Sequence, residues 1–383
     1  MDIVDLLKTA VASGASDLHL KAGSYPFMRV TGALVVASED TRLEAADTEL
    51  MARAIMSPGQ LEKFRSAQEI DLAYSVPGLG RFRANIFQQR GSIGLVLRII
   101  PVGIRTLDEL GLPPVLKRIA LEERGLVLVT GTTGSGKSTT LAAMIDHVNA
   151  MRSAHIMTIE DPIEYLHRDQ QSIVNQREVS VDTGSFAQAL RSALRQDPDV
   201  ILVGEMRDFE TVETAMNAAE TGHVVFSTLH TLDATETINR IIGVFPPHQQ
   251  RQVRIQLASV LKAAISQRLI PRADGVGRVP AVEIMLATPF IRDCIVDKDR
   301  TALIHGAIAA GTSQYGIQSF DQSIFSLYQQ GLVTEDEAMR WATNVDEFKL
   351  KVQGIGTTAE LARDEMAKGA GVGLGSEVFR FGG

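Results

Sequence analysis

The spacing of apolar residues changes character near residue 115. Before it, Ile3, Leu6, Leu7, Ala10 and Val11 mark one face of a helix that stops at Gly14, and the stretch SDLHLKAGSYPFMRVTGALV breaks into short β-like runs at Gly23, Pro26 and Gly32. Ala45 to Phe64 reads as helical, with Met51, Ile55 and Leu61 turned inward and Pro58 marking a start or a break. Ile70–Tyr74, Gly80–Gln88 and Gly94–Ile100 are rich in β-branched or aromatic residues and predict strands. Together these elements predict an α+β domain over residues 1–100. A connector rich in Pro and Gly, residues 101–114, follows it.

Beyond the connector, the short apolar runs Leu126–Val129, His155–Ile159, Val200–Val203 and Val224–Thr228 alternate with helical patterns. That alternation predicts a parallel sheet covered on both faces, an α/β domain over 115–353. One of its helices carries Leu141, Met144, Ile145 and Val148 on a single face, and another opens with Ser185 and Gln188 in capping-box spacing. A long helix is predicted from Pro247 to Leu269, through Val253, Leu257, Val260, Leu261, Ala264 and Ile265. Helical patterns at Pro289–Val296, Thr301–Ala310, Ser319–Gln330 and Thr334–Trp341 predict a helical C-terminal part. Residues 354–383 contain GAGVGLG and few large side chains, and predict a flexible tail.

Composition narrows the function classes. Of 383 residues, 45% are hydrophobic and 22% charged, as in an ordinary globular protein, and the net charge of −8 argues against nucleic acid as the main partner. The single cysteine, Cys294, excludes an internal disulfide framework, fits a reducing cytoplasm, and sits among Ile291, Ile295 and Val296 as a packing residue. No apolar run approaches the roughly 18 residues of a membrane span, so no direct membrane insertion is expected.

The densest chemistry lies in GLVLVTGTTGSGKSTTL, Gly125–Leu141, which reads as strand, loop and helix start. Its GxxxxGKS pattern comprises Gly131, Thr132, Thr133, Gly134, Ser135, Gly136, Lys137 and Ser138, with Thr139 following. The glycines let backbone N–H groups turn toward phosphate oxygens, Lys137 reaches the β- and γ-phosphates, and the Ser138 hydroxyl is placed to ligate Mg2+. This predicts a nucleoside triphosphate site. Hydrolysis also needs a held metal, a group to orient or deprotonate water, and positive charge for the transition state. Candidates are Glu205 at the end of the Val200–Val203 strand, and Glu160, Asp161 and Glu164 in TIEDPIEY. In open α/β sheets these strand ends face the ligand, so they should converge with His230 near the phosphate loop. His223 and His230 flank the Val224–Thr228 strand, and His230 could sense the γ-phosphate. Arg81, Arg83, Arg90 and Arg98 cluster on two neighbouring strands, where exposed arginines are ordinary.

Taken together, GTTGSGKST, TIEDPIEY, LRQDPDVILVGEMRD and TGHVVFSTLHT resemble the Walker A, Asp box, Walker B and His box of the secretion and type IV pilus hexameric ATPases. The likeness extends from ASDLHL through GRFRANIFQQR to GIQSFDQ, and is strongest to the pilus-retraction branch. It implies an N-terminal PAS-like α+β domain hinged to a RecA-like P-loop ATPase domain. It also implies ATP with Mg2+ as cofactors, Glu205 as the Walker B carboxylate, and Glu164, with Glu160 second, as the base. Arg83 and Arg98 match two arginines that reach the γ-phosphate when the domains close. The implied assembly is a homohexamer in the cytoplasm at the inner-membrane base of the pilus. There it would work on a platform protein, with a second retraction ATPase as a further candidate partner, and remove pilin during twitching motility. A pilus assembly or type II secretion ATPase, or an accessory retraction ATPase, is the alternative. The family's retraction-specific AIRxLI motif reads here, from residue 290, as Phe290-Ile291-Arg292-Asp293-Cys294-Ile295.

Overall fold

The computed structural model describes residues 2–39, 42–100, 103–311 and 316–354. The predicted tail, apart from Gly354, and Pro101 and Val102 of the connector lie outside these residues.

Asp2 caps α1 (Ile3–Ala12) by accepting the Val4 N–H, and the apolar stripe read from the sequence is the buried face of this helix. Three short strands follow, β1 (Asp17–Lys21), β2 (Phe27–Val30) and β3 (Ala33–Val36). The predicted helix Ala45–Phe64 is two helices, α2 (Ala45–Ile55) and α3 (Pro58–Ala67). Ser57 caps α3 through the Gln60 N–H, Gln60 returns a side-chain bond to the Ser57 N–H, and Pro58 occupies the first turn, so the proline is a start. Next come β4 (Glu69–Val76), β5 (Gly80–Gln89) and β6 (Ser92–Ile99), which complete a six-stranded antiparallel sheet in the order β3-β2-β1-β6-β5-β4. Phe82, Ala84 and Ile86 of β5 enter its core with Leu7, Leu18 and Leu97, so the alternate residues Arg81 and Arg83 face the other way. Cross-strand register sets Arg83 directly opposite Arg98.

The second sheet is built from α4 (Val115–Ala120), β7 (Gly125–Thr130), α5 (Lys137–Met151), β8 (His155–Glu160), β9 (Ile173–Glu178) and α6 (Phe186–Ala193), then β10 (Val200–Val203), α7 (Phe209–Glu220) and β11 (Val224–Leu229). It is completed by α8 (Ala234–Gly243), α9 (Gln250–Val260), β12 (Leu261–Pro271) and β13 (Arg278–Leu286). Its order is β13-β12-β7-β11-β10-β8-β9, parallel throughout except for β13. Leu126 and Leu128 of β7 join the core beneath α6 to α9, whereas Val127 and Val129 join the core beneath α4 and α5. A strand buried on both faces therefore shows a continuous apolar run instead of alternation.

The predicted helix Pro247–Leu269 is a correction: it ends at Val260, and Leu261 begins β12 beside β7. Leu261, Ala263, Ala264 and Ile265 are buried in both settings, and a short apolar run cannot by its period distinguish a helix from an interior strand. Strand pairing decides it. The C-terminal part adds α10 (Pro289–Val296), α11 (Leu303–Ala310), α12 (Phe320–Gln329), α13 (Glu335–Trp341) and α14 (Val345–Val352). Phe320, Ile324 and Phe348 from it cover Ile270 and Ala281 at the sheet edge. Cys294 is fully buried, and among the described residues no helix is long and apolar enough to cross a membrane.

One buried acid joins this edge to the site. Glu283 of β13 is 2% exposed and accepts the Ala234 N–H at 2.9 Å, where α8 begins. Burial, reinforced by Asp233, pushes its carboxyl up to about 6, against the pull of the Ala234 N–H, His305 and Arg268. The raised value means that its favourable contribution is complete below the unfolded carboxyl's range and is lost as pH rises through about 6. The stability of the wild type relative to Glu283→Gln should thus fall by about 2 kcal/mol between pH 4.5 and 7. Urea unfolding of both proteins at each pH measures this; a pH-independent difference would show that the ionisation of Glu283 has no part in it.

Candidate nucleotide site

Parallel register brings the strand ends to one level, with Val203 opposite Ile159 and Ser227, and Leu229 opposite Thr130. The loop after β7 lies at that edge. Gly131, Gly134 and Gly136 have φ of 140°, 78° and 92°, in the region that favours glycine. A Cβ on Gly131 would lie 2.5 Å from both the Gln267 carbonyl oxygen and Ser135 Oγ, and one on Gly136 would lie 2.7 Å from Gln267 Nε2. Gly136 also takes the N-cap position of α5, so no side chain caps that helix and its first N–H groups face the cleft uncommitted. Lys137 is buried and donates to the carbonyls of Gly131 (2.9 Å) and Thr132 (3.0 Å). Burial lowers the pKa of its ammonium, while the Glu164 and Glu205 carboxylates pull it back up.

A cleft of about 520 Å³ opens over this loop, lined by Thr133, Gly134 and Gly136–Thr139 on one side and by Glu160, Glu164, Glu205 and His230 on the other. The acids differ sharply in setting. Glu160 is held by Thr158 Oγ1 at 2.7 Å and Gln176 Nε2 at 3.0 Å, and burial raises its pKa. Glu164, by contrast, is exposed to the cleft. Glu205 meets Arg207 Nε at 2.7 Å and His230 Nε2 at 3.6 Å, so the β10 and β11 ends are joined through a carboxylate–imidazole contact. His223, at the other end of β11, bonds the Ala218 carbonyl at 3.0 Å and does not line the cleft. His167 does line it, and burial lowers its pKa to about 4, leaving a neutral imidazole near pH 7.

The two arginines singled out from the sequence are treated differently by the fold. Arg98 reaches the cleft from the first sheet, with its Nε donating to Asp17 at 2.9 Å. Arg83 lies outside the cleft, 3.7 Å from Asp71, and lines a separate crevice of about 320 Å³ with Asp161 and Pro162. The reason is lateral: β5 lies about 5 Å to the side of β6, so the opposed side chain falls beyond the edge of the phosphate loop.

Sequence reading missed Gln267 and Arg278, since one was placed in a helix and β13 was not foreseen. Gln267 accepts from Thr140 Oγ1 at 2.7 Å, and Arg278 Nη1 lies 3.5 Å from the Gly134 carbonyl. Tyr165 was also passed over, although its hydroxyl pairs with Thr139 Oγ1 at 2.8 Å. A second cavity of about 680 Å³ adjoins the loop, sharing Gly136, Thr139, Leu269 and Arg278 with the cleft and adding Leu110, Val276 and Leu332.

Known proteins resemble this chain over most of its length. The sequence profile described as "Type II/IV secretion system protein" matches residues 2–302. The type IV pilus retraction ATPase PilT of Pseudomonas aeruginosa is 47% identical over 91% of this chain and 100% of its own. The type IV pilus ATPase PilU of the same organism is 42% identical over 92% of each. A crystal structure of the pilus retraction motor PilT with bound ADP superposes with a TM-score of 0.84, covering 91% of this chain and 98% of that one. With an N-terminal unit, a RecA-like ATPase unit and matches of this extent, the chain belongs to the type II/IV secretion system protein family.

Proposed function

We propose that this chain is the ATP-hydrolysing motor of type IV pilus retraction, acting as a cytoplasmic homohexameric ring at the inner-membrane base of the pilus. The observation that carries the reading is the convergence, in one cleft, of an uncapped phosphate loop, two acids from neighbouring strands and an arginine from the other structural unit. The near full-length similarity to PilT supports the choice of pilus retraction.

The phosphates of ATP would take the place of the carbonyls that now hold Lys137, and Gly131–Thr139 would bind them through backbone N–H groups. The base would lie in the adjoining cavity, between Leu110, Leu269 and Val276. Oxygen donors suited to a hard cation, Ser138 Oγ and the Glu205 carboxylate, line the same cleft, so the residues fit Mg2+. Bound there, Mg2+ would neutralise developing phosphate charge. Glu164 suits water activation better than Glu160, because the Glu160 carboxyl already holds two side-chain bonds, whereas Glu164 is exposed to the cleft. His230 would register the γ-phosphate through Glu205. Arg98, and Arg83 after closure, would supply transition-state charge, with residues 101–114 as the hinge. Closure passed around the ring would turn an inner-membrane platform protein and release pilin. The similarity to PilU favours, as a second reading, an accessory retraction ATPase working beside another motor.

Glu205→Ala is expected to bind a fluorescent ATP analogue nearly as well as the wild type while turnover falls by about 10²-fold or more; unchanged turnover would remove Glu205 from the mechanism. Arg98→Ala and Arg83→Ala should each lower kcat, toward the roughly 10³-fold associated with arginine fingers, without loss of fold. Steady-state phosphate release per assembled ring decides this, and wild-type rates in either variant refute that arginine's role. In the host, deletion of the gene should give excess pili that do not retract. Bald cells would instead indicate an assembly motor, and normal retraction an accessory one.

A further inference from the structure

The turn that carries Glu164 has no regular secondary structure of its own, from Asp161 to Ser172. Buried backbone groups in such a turn must find side-chain partners, and β9 provides them from one face. Gln176 accepts the His167 N–H at 2.9 Å and donates to the Tyr165 carbonyl at 2.9 Å. Two residues on, the Glu178 carboxylate accepts the Ile163 N–H at 3.1 Å, immediately before Glu164. The same oxygen, Oε2, accepts Arg81 Nη2 at 2.7 Å.

Arg81 comes from β5 of the first sheet, and among the described residues this is the only ion pair joining the two structural units. It is also well shielded, with side-chain exposures of 18% for Arg81 and 5% for Glu178, so salt screens it little. Arg81 lies outside the nucleotide cleft and lines the neighbouring crevice with Asp161, Pro162 and Ile163. The Glu178 backbone is pinned independently, its N–H donating to Asp182 Oδ2 at 2.8 Å and its carbonyl accepting the Asp182 N–H at 2.8 Å. The strand end is thus held by its own bonds to Asp182, while one carboxylate oxygen is shared between the N-terminal unit and the turn.

We propose that Arg81 and Glu178 are positioning residues: Glu178 holds the Ile163–Glu164 turn, and Arg81 makes the placement of the Glu164 carboxylate depend on how the N-terminal unit is seated. The inference rests on the reading of Glu164 as the water-activating base. When the N-terminal unit moves away, the buried Glu178 carboxylate loses its only ion-pair partner among the described residues, and its bond to Ile163 is the one that can rearrange. The active geometry then forms only with the two units correctly docked.

The test is a kinetic cycle on the full-length ring with Arg81→Met, Glu178→Ala and the double variant, together with Arg81→Lys, Glu178→Gln and Glu164→Gln. Arg81→Met and Glu178→Ala should each lower kcat by about 10²-fold with KM for ATP unchanged, the loss expected from a displacement of about 1 Å at a reacting group. The double variant should be no worse than the singles. Arg81→Lys should recover part of the loss, and Glu178→Gln, which keeps an acceptor for the Ile163 N–H, should lose less than Glu178→Ala. Wild-type kcat in Arg81→Met while Glu164→Gln is inactive would overturn the coupling and leave the base assignment intact. Losses that multiply in the double variant, or a loss in Arg81→Met without one in Glu178→Ala, would show Arg81 acting by another route and also overturn it. Turnover retained in Glu164→Gln would remove the base assignment and the coupling together.

Discussion

The close approach of β12 to the phosphate loop is the contact on which the site depends. Register places Ser266 beside Thr130, with their hydroxyls bonded at 2.9 Å, and so brings Gln267 against the first residue of the loop. That one glutamine then touches three places: its carbonyl fills the space of a Cβ on Gly131, its amide nitrogen fills that of a Cβ on Gly136, and its amide oxygen accepts from Thr140 in the first turn of α5. Loop entry, loop exit and helix start are thereby referred to a single residue, through its backbone carbonyl and its side-chain amide, on a strand buried in the sheet. A loop with three positive-φ glycines would otherwise be the least ordered part of the unit.

Charge placement follows from that rigidity. A buried ammonium is costly unless it has partners, and Lys137 meets the cost with two loop carbonyls and the field of Glu164 and Glu205. An arriving phosphate chain supplies the counter-charge directly, so anion binding and the ionised state of Lys137 reinforce each other. The acids are divided in the same way. Burial raises the pKa of Glu160, which accepts bonds from Thr158 and Gln176, while Glu164 and Glu205 face the cleft and balance the lysine. Glu160 and Glu164 both line the cleft, and it is the side-chain bonds from Thr158 and Gln176 that set Glu160 apart.

Much of this was legible in the sequence where local chemistry decides structure. Gly131–Ser138, the cap at Ser185, and the four strands that start from His155, Val200, Val224 and Leu126 are local signals, and the fold keeps them. What was not legible depends on pairing. Leu261–Pro271 has the composition of a buried helix and becomes a strand because β7 lies beside it; β9 has polar Asn175 and Gln176 at its centre, and the β-branched run of β13 is interrupted by Pro280, which weakens a strand pattern. Those unforeseen strands carry Gln267, Arg278, Gln176 and Glu178. Residues that hold a site together from a neighbouring strand leave no motif of their own.

The arginines show how far a sheet register can specify a motion. Arg98 and Arg83 are directly opposed across β5 and β6, on the face turned away from the core of their own unit. Opposed side chains in an antiparallel pair start roughly 5 Å apart, so a modest rotation of the rigid sheet would suffice to carry the second to where the first already lies. Each is held meanwhile by an acid of its own sheet, Arg98 by Asp17 at 2.9 Å and Arg83 more loosely by Asp71 at 3.7 Å. Neither acid belongs to the P-loop unit, so both pairs can travel with the sheet and exchange an acid for a phosphate only on arrival. The energy of that exchange is small while Arg83, Asp71 and Arg98 are exposed to water, and would grow if closure expelled it. On the proposed mechanism the last few ångströms of closure would contribute most, because charge and desolvation act together there.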